Sequence, residues 1–216
     1  PSVFTDEPQV GRSGTLEYAT GSNDVSNPWT PSFPEKFREK YGMELLDRFP
    51  EIIWDRKNEP ATVRYYFHDL ICELFTEAFS DQCGKWCGEH GIALTGHMLH
   101  EETLKSQTAF IGEAMRAYRG FQIPGIDILC DATEFSTAKQ CQSAVNQYGR
   151  EAMTSELYGV TGWDFDFRGH KFQGDWQAAM GVTLRVPHLS WVSMKGSAKR
   201  DYPASISYQS EWFKNY

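Results

Sequence analysis

Residues 61–97 read ATVRYYFHDLICELFTEAFSDQCGKWCGEHGIALTGH, and the fold class follows from their spacing. Val63, Tyr66, Phe67, Leu70, Ile71, Leu74, Phe75, Ala78, Phe79, Cys83, Trp86 and Cys87 recur three and four residues apart, as one face of a helix does. Glu73, Glu77, Asp81 and Lys85 mark the opposite side. Gly91 supplies a helix stop. Ile92 to Leu94 then begins a buried strand that ends in Thr95-Gly96-His97. A long amphipathic helix feeding a short apolar strand is one step of an alternating α/β chain.

Downstream the alternation repeats. The pattern predicts a helix from Thr103 to Tyr118, a strand from Ile123 to Leu129, and a helix from Thr137 to Tyr148 that Gly149 ends. Ala152 to Leu157 reads as a strand presenting Ser155 and Glu156. Lys171 to Met180 is helical, and Leu184 to Val192 forms a last strand carrying His188 and Trp191. Upstream, Val3 to Thr5 is a strand that delivers Asp6 and Glu7 before Pro8 stops the ladder. Val10 to Pro34 lacks periodicity and forms a long loop with Trp29 and Phe33. Pro34 opens a short helix, and Gly42 ends it.

Strands alternating with helices imply a parallel sheet of right-handed crossovers. Five strands are predicted, whereas a closed eight-stranded barrel typically takes about 250 residues. The expected fold is therefore α/β: a (β/α)8 TIM-type barrel represented by its carboxyl-terminal five strand–helix units. Residues 1–216 would form one partial-barrel catalytic domain. A small doubly wound domain shows the same alternation and is the competing architecture. In the barrel case, the missing amino-terminal barrel segment or another chain would cover the open sheet edges.

Composition narrows the function. The net charge is −8 over 216 residues, and no lysine and arginine cluster exists to bind phosphates, so nucleic acid is not an expected partner. No apolar run approaches the ~20 residues needed to cross a bilayer, so no membrane partner is expected. Five cysteines, an odd number, do not suggest a disulfide framework. Cys83, Cys87 and His90 have helical spacing and could meet a zinc ion, but the two cysteines continue the apolar face, which favours a core role. Aromatic residues make up 14% of the chain, with seven tryptophans. Sugars stack their C–H faces on such rings, although core burial alone accounts for that figure more simply.

In parallel α/β folds the ligand lies beyond the carboxyl ends of the strands. Those ends carry Asp6 and Glu7, then His97 to Glu102, then Asp127 and Asp131, then Glu156, then His188. Glycoside hydrolysis needs two carboxylates, one to protonate the leaving oxygen and one to attack or activate water. Glu7 and Glu156 are the candidate pair. Each has a structural alternative: Glu7 could cap a turn, and Glu156 could pair with an arginine. Glu101 and Glu102 fall at a predicted helix start, where the dipole alone favours acids. His97, His100 and Glu101 vaguely suggest a metallohydrolase, but no separate His-x-His pair appears, so neither metal nor cofactor is expected. A Gly-x-Ser-x-Gly elbow and a phosphate-binding glycine loop are absent.

Several short motifs, in order, resemble the barrel glycoside hydrolases related to the α-L-rhamnosidase families. They are Phe4-Thr5-Asp6-Glu7-Pro8, Pro28-Trp29-Thr30, Tyr41-Gly42, His90-Gly91-Ile92 leading into Thr95-Gly96-His97, and Ser155-Glu156-Leu157-Tyr158-Gly159-Val160-Thr161-Gly162-Trp163. Asp175-Trp176, Gly181-Val182, Pro187-His188 and Lys199-Arg200-Asp201-Tyr202-Pro203 extend the resemblance over nearly the whole chain. It implies an acid at Glu7 on a fourth barrel strand and a second acid at Glu156 on a seventh. It also raises Glu101 or Glu102 as an alternative second acid. An extracellular or periplasmic home follows only by analogy with polysaccharide degraders.

The expected mechanism has Glu7 as general acid, its pKa raised by burial and a neighbouring negative charge. Glu156 is nucleophile or base. Asp6, His97, Glu101 and His188 are the polar substrate-binding candidates, and Trp29, Trp163 and Trp191 wall the pocket. Tyr158 and His188 would orient carboxylates. The rival expectations are a non-catalytic carbohydrate-binding module and a metal-dependent barrel hydrolase.

Overall fold

The computed structural model describes residues 1–16, 20–54, 59–129, 132–191, 193–198, 202–203, 206, 208 and 211–216. Five strands, β1 (Ser2–Thr5), β2 (Ala93–Gly96), β3 (Ile123–Asp127), β4 (Thr154–Leu157) and β5 (Leu184–Pro187), form a sheet in chain order. Every neighbouring pair is parallel. Crossovers of the usual right hand between sequential parallel neighbours would all fall on one face of such a sheet. A doubly wound sheet needs a reversal of strand order, which is absent here, so the competing architecture does not hold. The all-parallel sheet curls into a half barrel.

The helices are α1 (Phe33–Tyr41), α2 (Pro50–Ile53), α3 (Thr62–Phe75), α4 (Gln82–Glu89), α5 (Leu104–Phe110), α6 (Ala114–Ala117), α7 (Phe135–Gln147) and α8 (Phe167–Met180). The long helix expected between Ala61 and His90 is present, with its middle turn, Thr76–Asp81, wound as a π-helix between α3 and α4. Its apolar positions serve two cores. Phe75 and Cys87 pack under the sheet with Leu94, Met98, Tyr118, Phe121, Ile126 and Cys141. Val63, Phe67, Leu70 and Ile71 instead meet Phe33 and Phe37 of α1, with Leu45 and Ile52. Fully burying a side chain such as Phe67 contributes about 1.5–3 kcal/mol, so the segment around α1 and α2 is held on α3 by apolar contact. Cys83 and Cys87 both belong to the first core, as the helix periodicity required.

The helix expected from Thr103 to Tyr118 is broken. Thr103 caps α5, its Oγ1 accepting the Ser106 N–H at 3.0 Å, but the helix ends at Phe110 and resumes as α6. The cause is Gly112, at φ +86°, where a Cβ would sit 2.3 Å from the Cβ of Cys72 on α3. Close approach to α3 imposes a conformation open only to glycine. Gln107 bridges the break by accepting the Ala114 N–H at 3.0 Å and donating to the Glu101 carbonyl at 2.8 Å.

Smaller differences concern ends. α8 starts a turn earlier than predicted because Asp166 caps it, accepting the Gly169 N–H at 3.0 Å. β3 stops at Asp127 and β5 at Pro187, so His188 and Trp191 lie in the connection after β5. Val192, the predicted end of that strand, lies outside the described residues, as do Asp131 and Lys199-Arg200-Asp201.

Candidate functional site

The site forms where four strands end. β1 leads into Asp6 and Glu7, and Glu7 takes a left-handed backbone at φ +48°. That conformation costs a non-glycine residue on the order of 1 kcal/mol and clusters at functional sites. β2 leads into His97 through Gly96, whose φ is +129°. A Cβ on Gly96 would lie 2.0 Å from the Thr5 carbonyl oxygen, so only glycine lets β2 leave so close to β1. Asp127 closes β3 and stands opposite Glu156 of β4 in the ladder.

His97 is the centre of the group and is only 1% exposed. Its Nε2 lies 3.1 Å from Asp6 Oδ1 and 3.7 Å from Asp127 Oδ2. Its Nδ1 lies 3.9 Å from Glu156 Oε2. Neither ring nitrogen has an aligned hydrogen-bond partner. Burial lowers the imidazole pKa, and the nearby Asp6 and Glu7 charges only partly offset it. A neutral, buried imidazole therefore sits between carboxylates from three other strands.

Carboxylate oxygens of Glu7 and Asp127 lie within 4.8 Å of each other and of a His97 ring nitrogen. Burial raises the Glu7 pKa, and the negative charge of Asp127 raises it further. Burial also raises Asp127, and the negative charge of Asp6 adds to the rise. Both carboxyls are thus held above the ordinary carboxylate range by burial and by each other's neighbourhood of negative charge. Glu7 is the exposed member of the pair.

Glu101 lies beneath this group and is only 3% exposed. It accepts the N–H of Met98 at 2.9 Å, the N–H of Asp127 at 3.1 Å and the hydroxyl of Tyr118. Burial pushes its pKa up to about 8 against the pull of these donors. Glu7, Met98, Leu99, His100, Glu101, Glu102, Asp127 and Glu134 line a cavity of about 100 Å³.

The sequence candidates thus separate into groups. Asp6, Glu7, His97 and Glu156 come together, and Glu101 supports them from within. Trp29 stands elsewhere: it stacks on Phe33 at 5.5 Å and meets Phe49 edge-on. Trp163 is exposed and meets the buried Trp191 edge-on at 5.4 Å. His188 is buried against Gly159, where a Cβ would collide with its ring. The Tyr158 hydroxyl accepts from Arg185 Nη1 at 3.0 Å, away from the carboxylates.

Asp127 was one strand-end acid among several, and its partnership with Glu7 was not legible. Its signal was its position, the last residue of a strand whose neighbour ends in Glu156. Glu134, just before α7, was missed altogether. Burial raises its pKa, with Glu102 adding to the effect.

Among the described residues, two sets of donors are compact enough to hold a metal ion: Asp6, His97 and Glu156, and Glu7, His97 and Asp127. Within each set the donor atoms lie within 4.8 Å of one another. Carboxylate oxygens with one imidazole suit a divalent cation. No protein-family model matches the chain, and no curated protein matches it either.

Proposed function

We propose that the chain is the carboxyl-terminal part of a (β/α)8-barrel glycoside hydrolase, with Glu7 as general acid and Glu156 as nucleophile or base. The observation that carries this reading is the close approach of the Glu7 and Asp127 carboxylates on the same buried histidine that Glu156 faces. A general acid at neutral pH must hold its proton, and burial beside a second carboxylate is how a glutamate does so. Glu156 faces the Nδ1 side of His97 and Asp6 the Nε2 side. β1 and β5 each have a single strand neighbour among the described residues, which is compatible with three further strand–helix units completing the barrel.

The chemistry divides between the residues as follows. Glu7 gives its proton to the glycosidic oxygen as the bond from that oxygen to the anomeric carbon breaks, and it regains a proton from water, a return that the negative charge of Asp127 favours. Glu156 attacks the anomeric carbon or takes a proton from water. Neutral His97 and Asp6 bind hydroxyl groups.

A second reading is metal-assisted hydrolysis, favoured by the two compact donor sets around His97. One experiment separates the two. The full-length protein is assayed on a panel of aryl glycosides before and after chelation, with Glu156→Gln in parallel. The proposal predicts chelator-resistant hydrolysis of at least one glycoside, lost in Glu156→Gln. Chelator-sensitive activity supports the metal reading. Sugar binding without product from any glycoside points to a non-catalytic module.

A further inference from the structure

The loop after β3 is held from α8. Gln173 and Gln177 lie one turn apart on that helix, and both are 0% exposed. Gln177 Nε2 donates to the Ile128 carbonyl at 2.9 Å, and Gln173 Nε2 donates to the Ala132 carbonyl at 3.0 Å. Ile128 directly follows Asp127, and Ala132 stands two residues before Glu134. Asp127 and Glu134 line one cavity with Glu7. The two amides therefore grip the loop just inside each of its acids.

Glutamine is a costly choice at these positions. The inward face of a helix packed on a core is ordinarily apolar, and a buried amide needs partners for its polar atoms. Donation to a carbonyl, which only accepts, fixes which end of each amide is Nε2 and leaves Oε1 as the free acceptor. Both Oε1 atoms are buried and have no hydrogen-bond partner. Methionine would fill similar space without stranding an acceptor. Packing alone thus does not account for the two glutamines, whereas the bonds they donate to the loop do.

Asp127 is gripped on both sides. Glu101 Oε2 accepts its N–H at 3.1 Å, and Gln177 takes the carbonyl of the next residue. The amide carries no charge, so it fixes the loop without bringing a cation beside two acids. The strand that carries Glu156 leads into the helix that holds Asp127. We infer that Gln177 and Gln173 are positioning residues, which tether the loop after β3 to α8 so that the Asp127 carboxylate stays against Glu7. Their part in the reaction rests on the glycosidase reading, in which Glu7 is the proton donor.

The test is Gln177→Met in the full-length protein, assayed on a methyl glycoside and the 2,4-dinitrophenyl glycoside of the same sugar, with crystal structures of the native and variant proteins. Only the first substrate needs a proton on its leaving oxygen. A misplacement of about 1 Å can cost on the order of 10²-fold in rate. The expected result is a fall in kcat of tenfold or more on the methyl glycoside with KM nearly unchanged, near-native cleavage of the dinitrophenyl glycoside, and a displaced Asp127 carboxylate. An equal loss on both substrates, or no loss on either, would overturn the proposal. Gln173→Met, which frees the other end of the loop, gives the same comparison if circular dichroism shows Gln177→Met unfolded. A native protein that cleaves neither glycoside would defeat the glycosidase reading. The tether would then be decided by the crystal structures alone: a displaced Asp127 carboxylate supports it, and one in its native place overturns it.

Discussion

Glu101 Oε2 accepts the backbone N–H of Asp127 at 3.1 Å, tying the loop after β2 to the last residue of β3. The other carboxylate oxygen takes the Met98 N–H and the Tyr118 hydroxyl. One buried acid thus fixes the peptide of the residue whose carboxylate faces Glu7. Glu101 touches no solvent-facing group of the pair, so its contribution is to place Asp127.

Removing that acceptor should be costly. Glu101→Leu leaves two backbone donors and a phenol without partners, at about 1–3 kcal/mol for each that stays buried. Urea unfolding at neutral pH should show a loss of at least about 3 kcal/mol. Glu101→Gln keeps one acceptor oxygen and should lose less. Equal stability of Glu101→Leu and the native protein would show that these hydrogen bonds carry no weight.

Glu101 also sets a pH dependence. Its folded pKa of about 8 lies above the ordinary 4.5, so the folded state holds a proton that the unfolded state releases between those values. Its contribution to stability is full below about pH 4.5 and declines as pH rises toward 8. Glu101→Gln should flatten the slope of unfolding free energy over this window. An unchanged slope would place the titration elsewhere.

Asp127→Asn should move the activity profile in a defined direction. The negative charge of Asp127 helps keep Glu7 protonated, so its removal lowers the Glu7 pKa. Glu7 is needed in its acid form, and the alkaline limb of kcat/KM should therefore shift to lower pH. A profile unchanged on that limb, or shifted upward, would exclude Asp127 as the group that tunes Glu7.

Gly96→Ala tests the backbone of the site. The added methyl meets the Thr5 carbonyl and the left-handed φ together, so β1 and β2 must separate. The expected result is a loss of 3 kcal/mol or more, on the order of a severe core substitution, and no activity. A stable, active Gly96→Ala protein would mean that this approach is looser than described.

Much of the fold was legible because each helix and strand carries its own period. The stretch from Val63 to Cys87 declared one long helix, and the acids at strand ends declared which end bears the site. What stayed hidden depends on groups distant in sequence. The break at Gly112 is set by Cys72 on another helix, and its local pattern reads as continuous helix. The role of Glu101 follows from Tyr118 and Asp127 meeting it inside the fold, whereas its sequence neighbours suggest only a helix start. Trp29 is the converse case: an exposed loop tryptophan suggested a sugar wall, yet Phe33 and Phe49 give it apolar partners.

The most direct measurement compares Glu7→Gln with the native full-length protein on two glycosides of one sugar, a methyl glycoside and its 2,4-dinitrophenyl counterpart. The first needs its leaving oxygen protonated and the second does not. The account predicts a fall in kcat/KM of about 10²–10⁴ on the methyl glycoside, the usual scale of general acid catalysis, with the dinitrophenyl glycoside cleaved within about tenfold of the native rate. Native rates on both substrates, or an equal loss on both, would contradict Glu7 as the proton donor.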